Sequence, residues 1–309
     1  QLRRNLKSIM EVDKRNGQVC FNNLTHTYWN ENDGRRHTSV TTLIGQYCQE
    51  FNSDFWSQYK ALQKLLSPAQ FSMEKKHLLD TKKFDKKYFI DTYDLDETEF
   101  NSVQQDILDE WQRTNKASTD RGTSIHSDLE HMYTGKKKCT VKQYGVGGEF
   151  QVSADYYELD IERGVYPEYL IYYKSDDGVV RLAGQIDLLI KDGNDIYIVD
   201  YKTNKKLDEK SFFDTKTKKS QMMKYPINNL MDCNKVHYTL QLSLYAWMLQ
   251  QINPDFVVKK LILVHYDHSG NVTEHEVEYL KDDVERLLKY HRKRCVLEEL
   301  RDKRKPIEF

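Results

Sequence analysis

The sequence has no long apolar run. Nothing in it approaches the ~20 consecutive apolar residues that a membrane-crossing helix requires, so no membrane partner is expected. Excess charge is also lacking: 47 Lys and Arg face 48 Asp and Glu, for a formal net charge of -1. That balance excludes a generally basic coat for nucleic acid and confines any such binding to local patches. Cysteine is sparse, with five residues (Cys20, Cys48, Cys139, Cys233, Cys295), an odd number with no C-x-x-C among them. The scatter fits free thiols in a reducing compartment rather than a disulfide framework or a zinc module. No secretory signal is visible. The cysteine usage gives the expectation for localisation, an intracellular, reducing compartment, cytoplasmic or nucleoid, with an organelle left open. A Gly-x-x-x-x-Gly-Lys-(Ser/Thr) loop is missing too, which excludes a nucleotide-driven motor in the same chain.

What is present is enough material for one sizeable core, or a core with an appended lobe: 309 residues, 39% hydrophobic and 31% charged. Residues 1–50 read as short strands (Val19–Phe21, Thr25–Trp29) and polar turns that form a small antiparallel unit leading into a helix. Residues 51–118 read as mostly helical, with Phe55, Trp56, Tyr59 and Leu62, and later Phe100, Val103, Ile107 and Trp111, near helical spacing. Between these, 73–99 reads as a loop or short helices. His26 and His37 are isolated and read as structural. Thr119 or Asp120 can cap a further helix, on which Ile125, Leu129, Met132 and Tyr133 form an apolar stripe beside His126. A helix is predicted over 149–162, and a strand over Val165–Tyr173 with Glu168 on it, turning at Ser175–Gly178.

The most informative stretch is Gly184–Lys202. Leu182–Ile190 and Ile196–Lys202 are apolar runs separated by Lys191-Asp-Gly-Asn-Asp195, which is the chemistry of a hairpin turn. Side chains alternate along a strand, so Ile196, Ile198, Asp200 and Lys202 share one face and Tyr197, Val199 and Tyr201 the other. Asp187 then lies beside Asp200 across the hairpin. Two carboxylates so close repel unless a cation stands between them. After the hairpin, 203–225 is rich in lysine (Lys205, Lys206, Lys210, Lys216, Lys218, Lys219, Lys224) with Phe212, Phe213, Met222, Met223 and Tyr225 interleaved. Such a segment suits phosphate binding with stacking support, or simply a solvated insertion. Thr239–Ile252 is predicted helical, with Gln241 and Tyr245 one turn apart on one face. Strands at 257–266 and 272–279 and an amphipathic helix from Asp282 to about Arg301 complete the chain.

Gly184-x-x-Asp187, a turn, and a strand ending Asp200-Tyr-Lys202-Thr resemble the active-site hairpin of the PD-(D/E)XK nuclease superfamily, in its RecB-type branch. Gly122-x-x-x-His126, Glu168 and Gln241-x-x-x-Tyr245 fall in that branch's order, so the resemblance spans about residues 105–265. It implies an α/β (α+β) fold: a central mixed β-sheet flanked by helices, a restriction-endonuclease-like core over 119–309 with a basic insertion at 203–225, and a mostly helical N-terminal elaboration over 1–118. It also implies a site in which Asp187 and Asp200 are the central ligands of Mg²⁺ or Mn²⁺, the Tyr201 carbonyl and His126 complete the shell, and Glu168 is a further or water-mediated ligand. In that site Lys202 orients water and stabilises charge, and Gln241 and Tyr245 brace Lys202 or meet the phosphate. Arg121, Lys205, Lys206, Lys216, Lys218, Lys219 and Lys224 are the candidate DNA-binding residues. No iron–sulfur cluster is expected, because the tail past Tyr245 holds only Cys295.

The activity implied is metal-dependent hydrolysis of DNA, most often by an exonuclease working on single- or double-stranded ends in recombination, repair or replication. A separate helicase or a replication or recombination protein is the expected partner class. An endonuclease or nickase of the same fold, a non-catalytic DNA-binding scaffold, and a hydrolase of small phosphoesters are the competing readings.

Overall fold

Period-two patterning builds a sheet at the centre of this chain, and the computed structural model describes residues 12–133, 135–153, 158–214 and 217–302. In chain order the elements are β1 (Lys14–Asn16), β2 (Val19–Asn22), β3 (Thr27–Asn30), β4 (Arg36–Ser39), α1 (Val40–Gly45), α2 (Ser53–Leu65), α3 (Pro68–Thr81), α4 (Lys86–Tyr93) and α5 (Glu97–His131). There follow β5 (Lys138–Val141), β6 (Val146–Val152), β7 (Arg163–Lys174), β8 (Arg181–Asp192), β9 (Asp195–Lys202), β10 (Phe213–Asp214) and β11 (Lys219–Ser220). The chain continues through α6 (Asn234–Ile252), β12 (Val257–Tyr266), β13 (Val272–Val277) and α7 (Lys281–Asp302). No helix among the described residues is long and apolar enough to cross a membrane.

Two compact units make up the chain. One takes in the residues up to Cys48, Ser124–Phe212 and those from Ser220 on; the other is Gln49–Thr123 with Phe213–Lys219. The second unit is helical, and its core gathers Phe55, Leu62, Phe71, Leu78, Phe89 and Phe100. Its helices start at side-chain caps: Asn52 accepts from the Phe55 amide, Ser67 and Gln70 form a capping box, and Asp85 accepts from Tyr88. The 73–99 stretch is thus resolved as short helices.

The first unit is a mixed α/β layer structure around an 11-stranded sheet, the central mixed sheet flanked by helices that was expected. Strand β8 is its branch point. One edge of β8 pairs along its whole length with β7, from Lys174↔Arg181 to Arg163↔Asp192. The other edge is shared: β4 takes Leu182 and Ala183 in parallel, and β9 takes Leu188–Asp192 antiparallel. Gly184, Gln185, Ile186 and Asp187 lie between those two partners, so the sheet opens at that place. Beyond Leu188↔Val199, the end of β9 is carried by the parallel strand β12, with Leu263↔Asp200, Val264↔Tyr201 and His265↔Lys202.

Core sits on both faces of β9, as the alternation predicts. Ile196 and Ile198 pack with side chains of α1, α6 and α7, while Val199 and Tyr201 pack with Val141, Phe150, Leu188 and Ile262. Helix α6 is buried almost all round between Thr239 and Leu249, which makes it an interior helix rather than an amphipathic one.

Two expectations are corrected. No helix covers the described part of 149–162; instead Val146–Val152 is strand β6, paired to β5 and β7. Its Glu-Phe-Gln-Val alternation buries Phe150 and leaves Glu149 and Gln151 exposed, the period of a strand. No new helix begins at Thr119 or Asp120 either, because α5 runs unbroken for 35 residues. The Thr119 hydroxyl bonds back to the Asn115 carbonyl at 3.0 Å and Asp120 pairs with Lys116 at 3.2 Å, so both serve the helix interior instead of capping it. Of the stripe beside His126, Tyr133 is buried but Met132 is half exposed.

Candidate active site

The opening in the sheet leaves backbone groups of Tyr201 facing where β8 would have paired them, and buried backbone groups need partners. Asp187 and His126 supply these. The Tyr201 amide donates to Asp187 Oδ2 at 2.6 Å, and His126 Nε2 meets the Tyr201 carbonyl at 3.0 Å. His126 Nδ1 lies 3.5 Å from Asp187 Oδ1, so the imidazole spans both groups. It reaches them from the last turns of α5. Glu168 completes the cluster. It stands opposite Asp187 in a register that runs Pro167↔Leu188 and Tyr169↔Ile186, and its φ of +51° is a left-handed conformation that residues with a Cβ seldom adopt.

His126, Glu168 and Asp187 each offer a ligand atom, all within 4.8 Å of one another. An imidazole nitrogen and two carboxylate oxygens, with the Tyr201 carbonyl beside them, suit a hard divalent ion such as Mg²⁺ or Mn²⁺. Asp200 faces elsewhere in this arrangement. One of its oxygens is 2.7 Å from Lys202 Nζ and the other accepts from Gln241 Nε2 at 3.1 Å.

Charge in this site is strongly held. Burial alone would depress His126, but the Asp187 carboxylate, with Asp200 and Glu168 behind it, pushes the imidazole up to about 9. Burial pushes Glu168 up to about 7, reinforced by Asp187. Asp187 falls below the usual carboxylate range despite its burial, because His126 and Lys202 favour its anion. Burial raises Asp200, against the pull of Lys202. Partial burial would lower Lys202, yet Asp200 and Asp187 raise it, so it stays an ammonium.

Helix α6 braces that ammonium. Gln241 Oε1 accepts from Lys202 Nζ at 3.2 Å, and its amide nitrogen donates to Tyr245 Oη at 3.2 Å as well as to Asp200. Tyr245 in turn lies on Gly184, where an added Cβ would meet the ring Cε1 at 2.5 Å. The two motif residues Gly184 and Tyr245 are therefore a single packing pair. Glycine is required by close approach.

Six of the residues singled out in the sequence (His126, Glu168, Asp187, Asp200, Lys202, Gln241), with Tyr201 and Tyr245, are brought together in this cluster. Lys205, Lys206 and Lys224 follow in the same unit, the first two exposed; Arg121, Lys218 and Lys219 belong to the other unit, and Lys216 lies outside the described residues. Three neighbours are not readable from the sequence pattern used above. Gln185 donates to Glu168 Oε2, Lys14 Nζ is 3.6 Å from the same carboxylate, and the Tyr238 ring lies 4.5 Å from Lys202 Nζ. Tyr238 precedes Gln241 by three residues on α6, so helical spacing could have found it. Gln185 points from β8 within the Gly-x-x-Asp motif itself. Nothing in the sequence marks Lys14.

A model of the PD-(D/E)XK nuclease superfamily matches residues 91–308 of this chain. No curated protein matches it. A solved structure described as the crystal structure of SSO0001 aligns with 88% of this chain and 79% of its own at 14% identity, with a TM-score of 0.30; a likeness that slight carries no argument.

Proposed function

The chain belongs to the PD-(D/E)XK nuclease superfamily, and from that premise we propose that it is a metal-dependent deoxyribonuclease of the RecB type, acting as an exonuclease on DNA ends. The observation that carries this reading is the convergence of His126, Glu168 and Asp187 ligand atoms within 4.8 Å beside an ammonium fixed by Asp200 and Gln241. In this reading His126, Glu168, Asp187 and the Tyr201 carbonyl would hold Mg²⁺ or Mn²⁺, and Asp200, whose oxygens are engaged by Lys202 and Gln241, would join them only by releasing one of these partners. The ion supplies a water of lowered pKa and neutralises charge on the phosphate.

The chain's own residues do the rest. Lys202 stays charged, so its role is to stabilise the developing phosphorane charge and orient the attacking water, not to remove a proton. Gln241 holds Lys202 at one end and Tyr245 at the other, which limits the ammonium to one position. The lysines after β9 bind phosphates close to the site in sequence. End-dependence follows from the RecB-type motif set, whose members are mostly end-processing enzymes.

The test uses labelled linear and circular DNA, single- and double-stranded, given to the wild type and to Lys202→Ala with Mg²⁺, Mn²⁺ or EDTA. Degradation of linear DNA alone, abolished by EDTA and reduced at least ~10²-fold in the variant, is the expected outcome. Cleavage of circles would replace the exonuclease with an endonuclease. Binding without metal-dependent turnover under every condition would leave a scaffold.

A further inference from the structure

Outside the candidate active site, one more set of metal-binding side chains converges among the described residues. Cys48 follows α1, Asp232 lies just before α6, and His237 is in its first turn. Their ligand atoms all lie within 4.8 Å of one another, although 189 residues separate Cys48 from His237. We infer that Cys48, Asp232 and His237 form a second metal site, of the zinc class, which staples the segment after α1 to the start of α6.

The geometry distinguishes a metal site from a nucleophile relay. In a Cys–His–Asp relay the two ring nitrogens serve different partners, one the nucleophile and the other the carboxylate. Here a single atom serves both: His237 Nε2 is 3.4 Å from Cys48 Sγ and 2.6 Å from Asp232 Oδ1. Three donors facing one point is what an ion requires. Zinc–sulfur and zinc–nitrogen bonds at a tetrahedral angle put S and N about 3.5 Å apart, close to the separation seen. The nitrogen–oxygen pair is now hydrogen-bonded and would widen to about 3.3 Å around an ion.

The surroundings are those of an oriented ligand set. The Asp232 side chain is only 4% exposed and that of His237 26%. Gln221 Nε2 donates to Asp232 Oδ2 at 3.1 Å, fixing the carboxylate with Oδ1 toward the histidine, the kind of outer hydrogen bond that tunes ligating carboxylates. Backbone bonds hold both segments: Lys224 N to Tyr47 O at 2.7 Å and Asp232 N to Gln221 O at 2.9 Å. The thiol itself rests at 3.5 Å from the Ile44 carbonyl.

Ligand type selects the ion. A thiolate, an imidazole and a carboxylate favour zinc and its chemical relatives, whereas the His126–Glu168–Asp187 set has no sulfur and suits harder ions. Burial and the nearby Asp232 push the Cys48 thiol up to about 11, with Lys224 acting the other way. Coordination therefore exchanges one proton for the ion: the thiol and M²⁺ give thiolate-bound M²⁺ and H⁺. With three protein donors, the fourth position is left to water. The consequence for the fold is local. Tyr238 and Gln241, which flank Lys202, lie within the next turn of α6, so an ion on His237 fixes the end of the helix that carries them.

The test is independent of DNA cleavage. Chelator-stripped full-length protein is titrated with Co²⁺, and the near-ultraviolet thiolate-to-cobalt band is followed. Only a sulfur-containing site gives that band, so cobalt at the active-site set is silent. One equivalent should develop the band, Zn²⁺ should displace it, Asp187→Asn should keep it, and Cys48→Ala should lose it. Should Cys48→Ala not fold, His237→Gln keeps every thiol and should weaken cobalt binding at least ~10-fold. Absence of the band, its persistence in Cys48→Ala, or unchanged affinity in His237→Gln would each overturn the proposal.

Discussion

His126 faces two groups that a metal would also face, the Asp187 carboxylate and the Tyr201 carbonyl, and it faces them as a cation, since its surroundings push it up to about 9. An imidazolium cannot ligate, because coordination needs the neutral ring. Loading an ion on His126 therefore expels a proton throughout the range below that value. The sign follows. The folded value is raised above the ordinary 6.5, so the proton stabilises the metal-free site fully below about 6.5 and is lost as pH rises through about 9. Above about pH 7, where Glu168 has given up its own proton, apparent Mg²⁺ affinity should accordingly climb up to about tenfold per unit and level off near pH 9. Calorimetry of Mg²⁺ binding at pH 6, 7, 8 and 9 measures it, and in His126→Ala the climb should flatten. A pH-independent affinity in the wild type would refute the linkage.

At the scale of elements, β8 and α6 meet through Gly184 and Tyr245. A Cβ on Gly184 would stand 2.5 Å from Cε1 and 2.9 Å from the Tyr245 hydroxyl, and both partners are backbone-anchored and buried. Gly184→Ala must move the ring, and with it Gln241 and the position of Lys202. Overpacking of this kind costs about 1–3 kcal/mol, but the loss of turnover in still-folded protein should exceed that expected from stability alone. Tyr245→Leu removes the clash. In a double-mutant cycle on thermal stability, the two substitutions together should cost less than the sum of their separate costs; simple additivity would show that the pair does not touch.

At the scale of the whole molecule, a net charge of -1 leaves DNA binding to local cations. Lys205, Lys206 and Lys210 are exposed after β9. Their joint replacement by Ala should lower the slope of log affinity against log salt by ~0.7–0.9 for each phosphate no longer neutralised, with thermal stability unchanged. An unaltered slope would remove this segment from the interface. What is legible in the sequence is periodic or local: the hairpin, the two faces of β9, and the run of motifs from Gly122 to Tyr245. Illegible are neighbours brought in by strands that pair late. That β4 and β9 share one edge of β8, and so open the sheet at Asp187, depends on long-range topology. Lys14 reaches Glu168 only because β1 belongs to that sheet, and Cys48 meets His237 only through packing of α1 against α6. The strand at 146–152 does not declare itself, because its polar residues resemble a helix surface until Phe150 is seen to be buried.

Where the sheet opens, the Asp187 side chain does for the Tyr201 amide what a neighbouring strand would otherwise do. One carboxylate thus serves architecture and, in the proposed site, would serve chemistry as well, so both roles rest on the same side chain. Loss of the side-chain acceptor at position 187 would strand the Tyr201 amide at the same moment as it removed a proposed metal ligand. The Lys202 ammonium, by contrast, meets the side chains of Asp200, Gln241 and Tyr238, so its replacement would take no partner from the backbone of the sheet.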